Sequence, residues 1–263
     1  MLLNYYALRA LAREWSADTS GSLIGAVVEE CWSSSADELT IRLTSGGDIE
    51  TALRISARPG QAYVFRQEGS GKPRKNTTPL FRSLSGQQIS AIRVADRDRV
   101  LHVETAGGAA LVAYLFGSSA NVVLMTGAGE MQEAFRAKAA ARSLPESRPA
   151  QDPVGSEALK ARWPAGAQPV AKAVNRAVPL LDRWLAQEVV DRASLDVSDA
   201  CLVTDAHFVE LARALDDVRH DLDAPRPVLY RDERTPVALS LIPLSTPPGS
   251  ADSFETLDEA VRV

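Results

Sequence analysis

Cysteine and histidine are scarce in this chain, at two and three residues out of 263. Cys31 and Cys201 lie far apart, which excludes a disulfide framework and leads to the expectation of free thiols. So few scattered ligands leave little material for a zinc site, and no cofactor is expected. Chemistry that needs an imidazole base has only His102, His207 and His220 to draw on. No apolar run approaches the roughly 20 residues that a membrane span needs. The opening Met1-Leu2-Leu3-Asn4-Tyr5-Tyr6 lacks the basic start and apolar block of a signal peptide, so a cytoplasmic location is expected. Positive charge is also short overall: the net charge is -5, which argues against a uniformly nucleic-acid-coating surface.

What is present is an ordinary soluble composition, 45% hydrophobic and 24% charged, on a chain long enough for two small domains. The charge is unevenly spread. Residues 1–150 carry 17 basic and 15 acidic side chains, whereas residues 151–263 carry 12 and 19. Between Arg54 and Arg99 there are 10 basic residues against only Glu68, Asp96 and Asp98. A local excess of this kind suits a confined polyanion site; the plainer account is a solvated surface.

Periodicity divides the chain. Leu8, Leu11, Ala12 and Trp15 recur at helical spacing and predict a helix over 2–16. Short strand patterns follow at 24–28, 39–43, 49–55, 62–65, 89–94, 100–104, 110–116 and 121–125, separated by Gly-rich turns. Residues 143–156 read as a linker. Beyond it, two helical stripes (Leu181, Trp184, Leu185, Val189; then Phe208, Leu211, Ala212, Leu215, Leu222) predict a helical hairpin over about 156–224. Val228 to Tyr230 and Val237 to Ile242 predict a closing β-hairpin, and Ser253 to Val261 a short helix. The expected class is α+β, with a β-rich N-terminal domain to which the tail after Arg226 returns.

Catalytic motifs fail on inspection. Gly69-Ser70-Gly71-Lys72 is not a phosphate loop, because Arg66 stands at the first glycine and Pro73 where Ser or Thr must hold magnesium. There is no Gly-x-Ser-x-Gly elbow. His220 sits among Asp216, Asp217, Asp221 and Asp223, as on a charged exposed face. Asp96-Arg97-Asp98-Arg99 is more informative. On a strand, alternation would put the two aspartates on one side and the two arginines on the other. Arginine can grip phosphate with two prongs, and aspartate can accept from a base amine. The plainer account is a turn with local ion pairs.

The stretch Leu84 to Arg136 resembles the N-terminal region of NFACT proteins, the fibronectin-binding protein A-like factors of ribosome quality control. Leu84-Ser85-Gly86-Gln87-Gln88-Ile89, Asp98-Arg99-Val100-Leu101 and Tyr114-Leu115-Phe116-Gly117-Ser118-Ser119-Ala120-Asn121 match its ordered motifs. Pro179 to Leu195 resembles the family's helix-hairpin-helix region, and Val228-Leu229-Tyr230, Ile242-Pro243-Leu244 and Ser253 to Ala260 its closing segment. The chain departs from the pattern at Gln88, Val94, Tyr114 and Ser118-Ser119.

The resemblance implies a first domain over 1–150 similar to the formamidopyrimidine-DNA glycosylase N-terminal fold. It further implies a helix-hairpin-helix-like domain over 151–225 and a closing hairpin and helix over 226–263, leading toward a coiled coil. Such glycosylases attack with an N-terminal proline amine backed by glutamate; Leu2 and Leu3 stand in those places, so no enzyme and no catalytic residue are expected. The implied function is binding of tRNA and the obstructed large ribosomal subunit in support of C-terminal tailing of stalled chains. The implied tRNA-binding pair is Asp98 and Arg99; from their charge alone, Lys72, Arg74, Lys75, Arg82 and Arg97 are candidate RNA backbone contacts. Asn121, though it matches a family position, is expected to cap a turn. A fibronectin-binding protein-interaction module is the alternative, and a residual nucleic-acid enzyme ranks below it.

Overall fold

The computed structural model describes residues 4–19, 21–45, 49–69, 76–118, 120–137, 150 and 152–262. Lys72, Arg74 and Lys75, and most of the expected linker, lie outside the described residues. The chain forms two compact units, one of Met1–Leu3, Leu8–Arg148 and Val261–Val263, the other of Asn4–Ala7 and Pro149–Ala260.

Helix α1 (Tyr5–Ser16) starts where Asn4 Oδ1 accepts from the Ala7 N–H at 2.8 Å. Leu8, Leu11, Ala12 and Trp15 are buried, as their spacing predicts. In the first unit, β1 (Val27–Ser33), β2 (Glu38–Ser45), β3 (Ile49–Ser56), β4 (Tyr63–Glu68) and β5 (Thr78–Pro79) make an antiparallel sheet in the order β4-β3-β2-β1-β5. A second antiparallel sheet is a simple meander of β6 (Ile89–Val94), β7 (Val100–Thr105), β8 (Ala110–Tyr114), β9 (Asn121–Met125) and β10 (Met131–Ala134).

Side-chain alternation builds the core. One row of the first sheet aligns Cys31, Ile41 and Leu53, and the next Leu39, Ile55 and Val64, all buried. The second sheet aligns Ile92, Val103, Leu111 and Leu124 in the same way. Burying each such side chain contributes about 1.5–3 kcal/mol. Cys31 is therefore a packing residue: burial, with Glu133 and Glu30 adding to it, pushes its thiol pKa up to about 12. It is no nucleophile.

Several expectations are corrected. The strand read at 24–28 begins only at Val27 and runs to Ser33. Gly25, at φ +82°, turns the chain first, and a register shift between Val28 and Glu30 breaks the period of 2 on which sequence reading depends. Strand β10 has no apolar alternation and lies at a sheet edge, so its pattern is silent. The tail after Arg226 groups with the second unit rather than returning to the first, up to Ala260.

The second unit packs α2 (Gly155–Ala161) and α4 (Arg183–Ala193) against α5 (Asp205–Asp223), with α3 (Val170–Ala177) on α4. A small antiparallel sheet follows, of β11 (Val228–Asp232), β12 (Thr235–Ser240) and β13 (Ser250–Ser253), in the order β12-β11-β13. Gly249 is required there: a Cβ would lie 2.1 Å from the Arg231 carbonyl oxygen. Helix α6 (Leu257–Arg262) ends the described chain.

Glu188 on α4 ties these elements together. It is buried, accepts from Arg192 Nε at 2.7 Å, and accepts from the Ser245 N–H at 2.6 Å and Ser245 Oγ at 2.8 Å. Arg192 also pairs with Asp221 of α5 at 2.8 Å. Removing the carboxylate orphans the Ser245 donors and takes one of its two carboxylate partners from the Arg192 guanidinium. Glu188→Ala is expected to lower stability by about 3 kcal/mol, near the lower bound for breaking a buried pair, because Arg192 keeps Asp221. Urea unfolding read by circular dichroism checks this; a loss below about 1 kcal/mol would show that the carboxylate is dispensable.

Candidate nucleic-acid interface

Asp96 to Arg99 form the turn between β6 and β7, not a strand. The Ala95 N–H donates to the Val100 carbonyl at 2.9 Å, and the Asp98 N–H to the Ala95 carbonyl at 3.3 Å. Strand alternation therefore does not sort these four side chains. Arg97 takes the left-handed conformation at φ +52°, which strains a residue with a Cβ. Its guanidinium stands 3.8 Å from Asp96, and both side chains are exposed, a pairing that adds little.

Asp98 and Arg99 are half-buried. Asp98 Oδ1 accepts from the Arg99 N–H at 2.7 Å, so part of its work is to hold the turn. Burial pulls the Arg99 pKa down, while the adjacent Asp98 carboxylate pulls it up. Arginine stays charged throughout, and partial withdrawal from water strengthens whatever ion or hydrogen bond it forms. The Arg99 carbonyl accepts from the Leu115 N–H at 2.9 Å, and Val100 lies opposite Tyr114. Tyr114 and Phe116 thus stand beside the turn, with ring centroids 6.3 Å apart at 75°. Burial, and then the Asp98 charge, raise the Tyr114 pKa. These two aromatics were not among the sequence-derived candidates; both pack against the buried Val100, Val112 and Val123 cluster.

The linear arginine excess is reduced in space. Arg54 pairs with Glu38 at 2.6 Å and donates to Gln67 at 3.1 Å. Arg66 donates to the Gly21 carbonyl at 3.1 Å, and Arg93 pairs with Glu104. Glu38 and Glu104 come from outside the basic stretch, which is why counting along the chain overstates it. Arg58 and Arg82 are exposed and carry no ion pair among the described residues. Arg82 starts a short 3-10 turn, Arg82–Leu84, well away in sequence from the Asp98 turn.

Asn121 is structural. Its Oδ1 accepts from the Val122 and Arg136 N–H groups at 2.9 Å each, and its Nδ2 donates to the Arg136 carbonyl at 3.2 Å. It pins the start of β9 rather than capping a turn before it. In the second unit, the N-terminus of α4 is already occupied: Asp182 Oδ1 accepts from the Trp184 and Leu185 N–H groups at 2.9 Å, and Asn4 Nδ2 holds Oδ2 at 2.7 Å. A phosphate there would have to displace a carboxylate. Among the described residues no group of three or more His, Cys, Asp or Glu gathers as a metal site, and no helix is long and apolar enough to cross a membrane.

His102 lies opposite Arg93 and Val112 on the second sheet. Burial lowers its pKa below the ordinary 6.5; Arg93 lowers it further and Glu104 opposes. The unfolded chain therefore takes up this proton more readily than the folded one. Its contribution to stability is present above pH 6.5 and is lost as pH falls below that value. In His102→Gln the difference in stability between pH 7.5 and pH 5.5 is expected to shrink. An undiminished difference in urea titrations at the two pH values would assign the dependence to other groups.

The family model for NFACT N-terminal and middle domains matches residues 5–263. Among solved structures, the chain is similar to the fibrinogen binding protein from Staphylococcus aureus, with TM-score 0.67, 15% identity, and 97% of each chain covered. It is also similar to the N-terminal part of the fibronectin/fibrinogen-binding protein from Streptococcus suis, with TM-score 0.67, 18% identity, 98% of this chain and 97% of that chain covered. At these identities the two structures speak for the fold alone. No curated protein matches the chain.

Proposed function

We propose, from the premise that this chain belongs to the NFACT family and spans its N-terminal and middle domains, that it is the RNA-binding module of a ribosome-associated quality-control factor. In this reading it binds tRNA and the obstructed large ribosomal subunit in the cytoplasm, and supports C-terminal tailing of stalled chains. It works by binding, not by catalysis. The observation that carries the reading is the family match over residues 5–263. The Asp98–Arg99 pair, held at a turn beside two half-buried aromatics, supports it. A similarity to the glycosylase fold and a helix-hairpin-helix-like character for residues 151–225 belong to the same reading.

Arg99 supplies a two-pronged donor to phosphate or a base edge, and Asp98 braces the turn while its carboxylate accepts from a base. Arg58, Arg82 and Arg97 add sequence-independent attraction, so affinity falls steeply with salt. Arg99→Ala is expected to weaken tRNA binding by about 1–3 kcal/mol, and to lower the salt slope by about one. Asp98→Ala should cost less affinity but relax discrimination among tRNAs. Arg213→Ala is the control, an exposed arginine of α5 that pairs, among the described residues, only with Glu210 of its own helix, at 3.2 Å. Filter binding across a salt series, with cosedimentation on large subunits with and without tRNA, reads all of this. Affinity that ignores salt, or Arg99→Ala matching the control with the fold intact, would refute the assignment.

A second reading has one observation in its favour: both structural neighbours carry fibrinogen- or fibronectin-binding names. It ranks below the first, because fold likeness at 15% and 18% identity does not carry a ligand. Immobilised fibronectin and fibrinogen are expected to give no saturable binding; saturable binding there, with none to tRNA, would reverse the order.

A further inference from the structure

We propose that Tyr114 and Phe116 form a stacking platform for one unpaired base of an RNA strand, set against the Asp98–Arg99 turn. This deepens the RNA-binding reading and rests on it.

The two rings are built into the fold. Leu115 is buried, and its N–H donates to the Arg99 carbonyl at 2.9 Å. That bond fixes the backbone between the aromatics directly opposite the turn. Tyr114 ends β8 and Phe116 lies just beyond it, and both rings fall on the same side of the sheet as Val112. There they pack against buried Val100, Val112 and Val123, with Ala95 and Met125 around them. Both nevertheless stay partly exposed. A ring backed by a tight apolar cluster loses little entropy when a base stacks on it.

The neighbouring groups fit one kind of ligand. A stacked base presents donors and acceptors at its edge and trails a phosphate. Asp98 is a carboxylate that accepts, and Arg99 is a forked cation that donates; both are half-buried beside Tyr114. The turn itself is close to neutral, with Asp96 and Asp98 against Arg97 and Arg99. Attraction of a polyanion is therefore weak here, and a π-face supplies affinity that charge does not. Base stacking on an aromatic contributes about 1–3 kcal/mol and tolerates any base. Paired bases have no free face, so the platform selects single-stranded segments.

The test uses the full chain and a short single-stranded oligoribonucleotide with one 2-aminopurine, beside a fully paired duplex of the same sequence. Binding of the single strand is expected to quench the 2-aminopurine, and the duplex to bind more weakly. Tyr114→Leu and Phe116→Leu should each weaken single-strand binding by about 5- to 150-fold, the range that 1–3 kcal/mol converts to. Their salt slope should be unchanged, because no phosphate contact is lost. Tyr114→Phe keeps the ring and should bind within about twofold of the wild type. If either Leu variant fails to fold, quenching by the wild type and by Tyr114→Phe decides, and its absence overturns the platform. If Arg99→Ala weakens binding but both Leu variants bind like wild type, the platform is wrong and the RNA reading stands. If the wild type binds neither RNA, both are wrong.

Discussion

The first unit depends on a short main-chain seam between its two sheets. The Gly25 N–H donates to the Ile89 carbonyl and the Ile89 N–H to the Ala26 carbonyl, at 2.8 and 2.9 Å. The Val28 N–H donates to the Gln87 carbonyl and the Gly86 N–H to the Val28 carbonyl, at 2.9 and 2.8 Å. Both ends of the seam need a glycine, since Gly25 and Gly86 sit at φ +82° and +80°. Gln87 locks it further: its Oε1 accepts from Thr105 Oγ1 at 2.6 Å, and its Nε2 donates to the Ser83 carbonyl at 2.8 Å. The seam sets where β6 starts. The start of β6 sets its register on β7, and that register decides which residues fall in the 96–99 turn. The candidate interface is thus fixed from the far end of its own hairpin.

Charge in this protein is mostly structural. Arg54 and Arg93 spend their guanidinium groups on carboxylates of neighbouring strands, Arg66 on a carbonyl, and Arg136 on the Ala57 and Ala120 carbonyls at 3.1 and 2.8 Å. The second unit follows the same economy. Glu188 closes α4 onto the Ser245 loop, and Asp182 fills the start of α4. Most buried polar groups here find partners, because leaving one unpaired would cost about 1–3 kcal/mol; among the described residues Thr40 Oγ1, Arg42 Nε and Arg219 Nε are exceptions. Among the described residues, the basic stretch thereby leaves a few exposed arginines and one braced turn.

That turn combines features otherwise found apart. Arg97 is strained, Asp98 holds the backbone, Arg99 is partly withdrawn from water, and two aromatics rest alongside on an apolar cluster. Rigid support under polar and aromatic groups is what a binding site needs, and the meander provides it by aligning β6, β7 and β8.

Sequence by itself determined the elements whose local period agrees with their environment. The α1 stripe of Leu8, Leu11 and Trp15 and the α5 stripe of Phe208, Leu211 and Leu215 were legible because one face is buried and the other is not, and β6 and β9 were legible to the residue as short apolar runs bounded by turn residues. The ordered motifs around Gly86, Asp98 and Asn121 were enough to indicate the family. Tertiary structure alone decided the rest. The bulge in β1 erased its alternation, and the edge strand β10 had no buried face to reveal it. Asp96 to Arg99 fell in a turn because the β6–β7 register is set by the distant Gly25–Gly86 seam. The arginine excess is reduced, among the described residues, because Glu38 and Glu104 are neighbours of Arg54 and Arg93 across strands and not along the chain. Periodicity is a local quantity, whereas register and ion pairing depend on which strands meet, and one-dimensional order does not encode that directly.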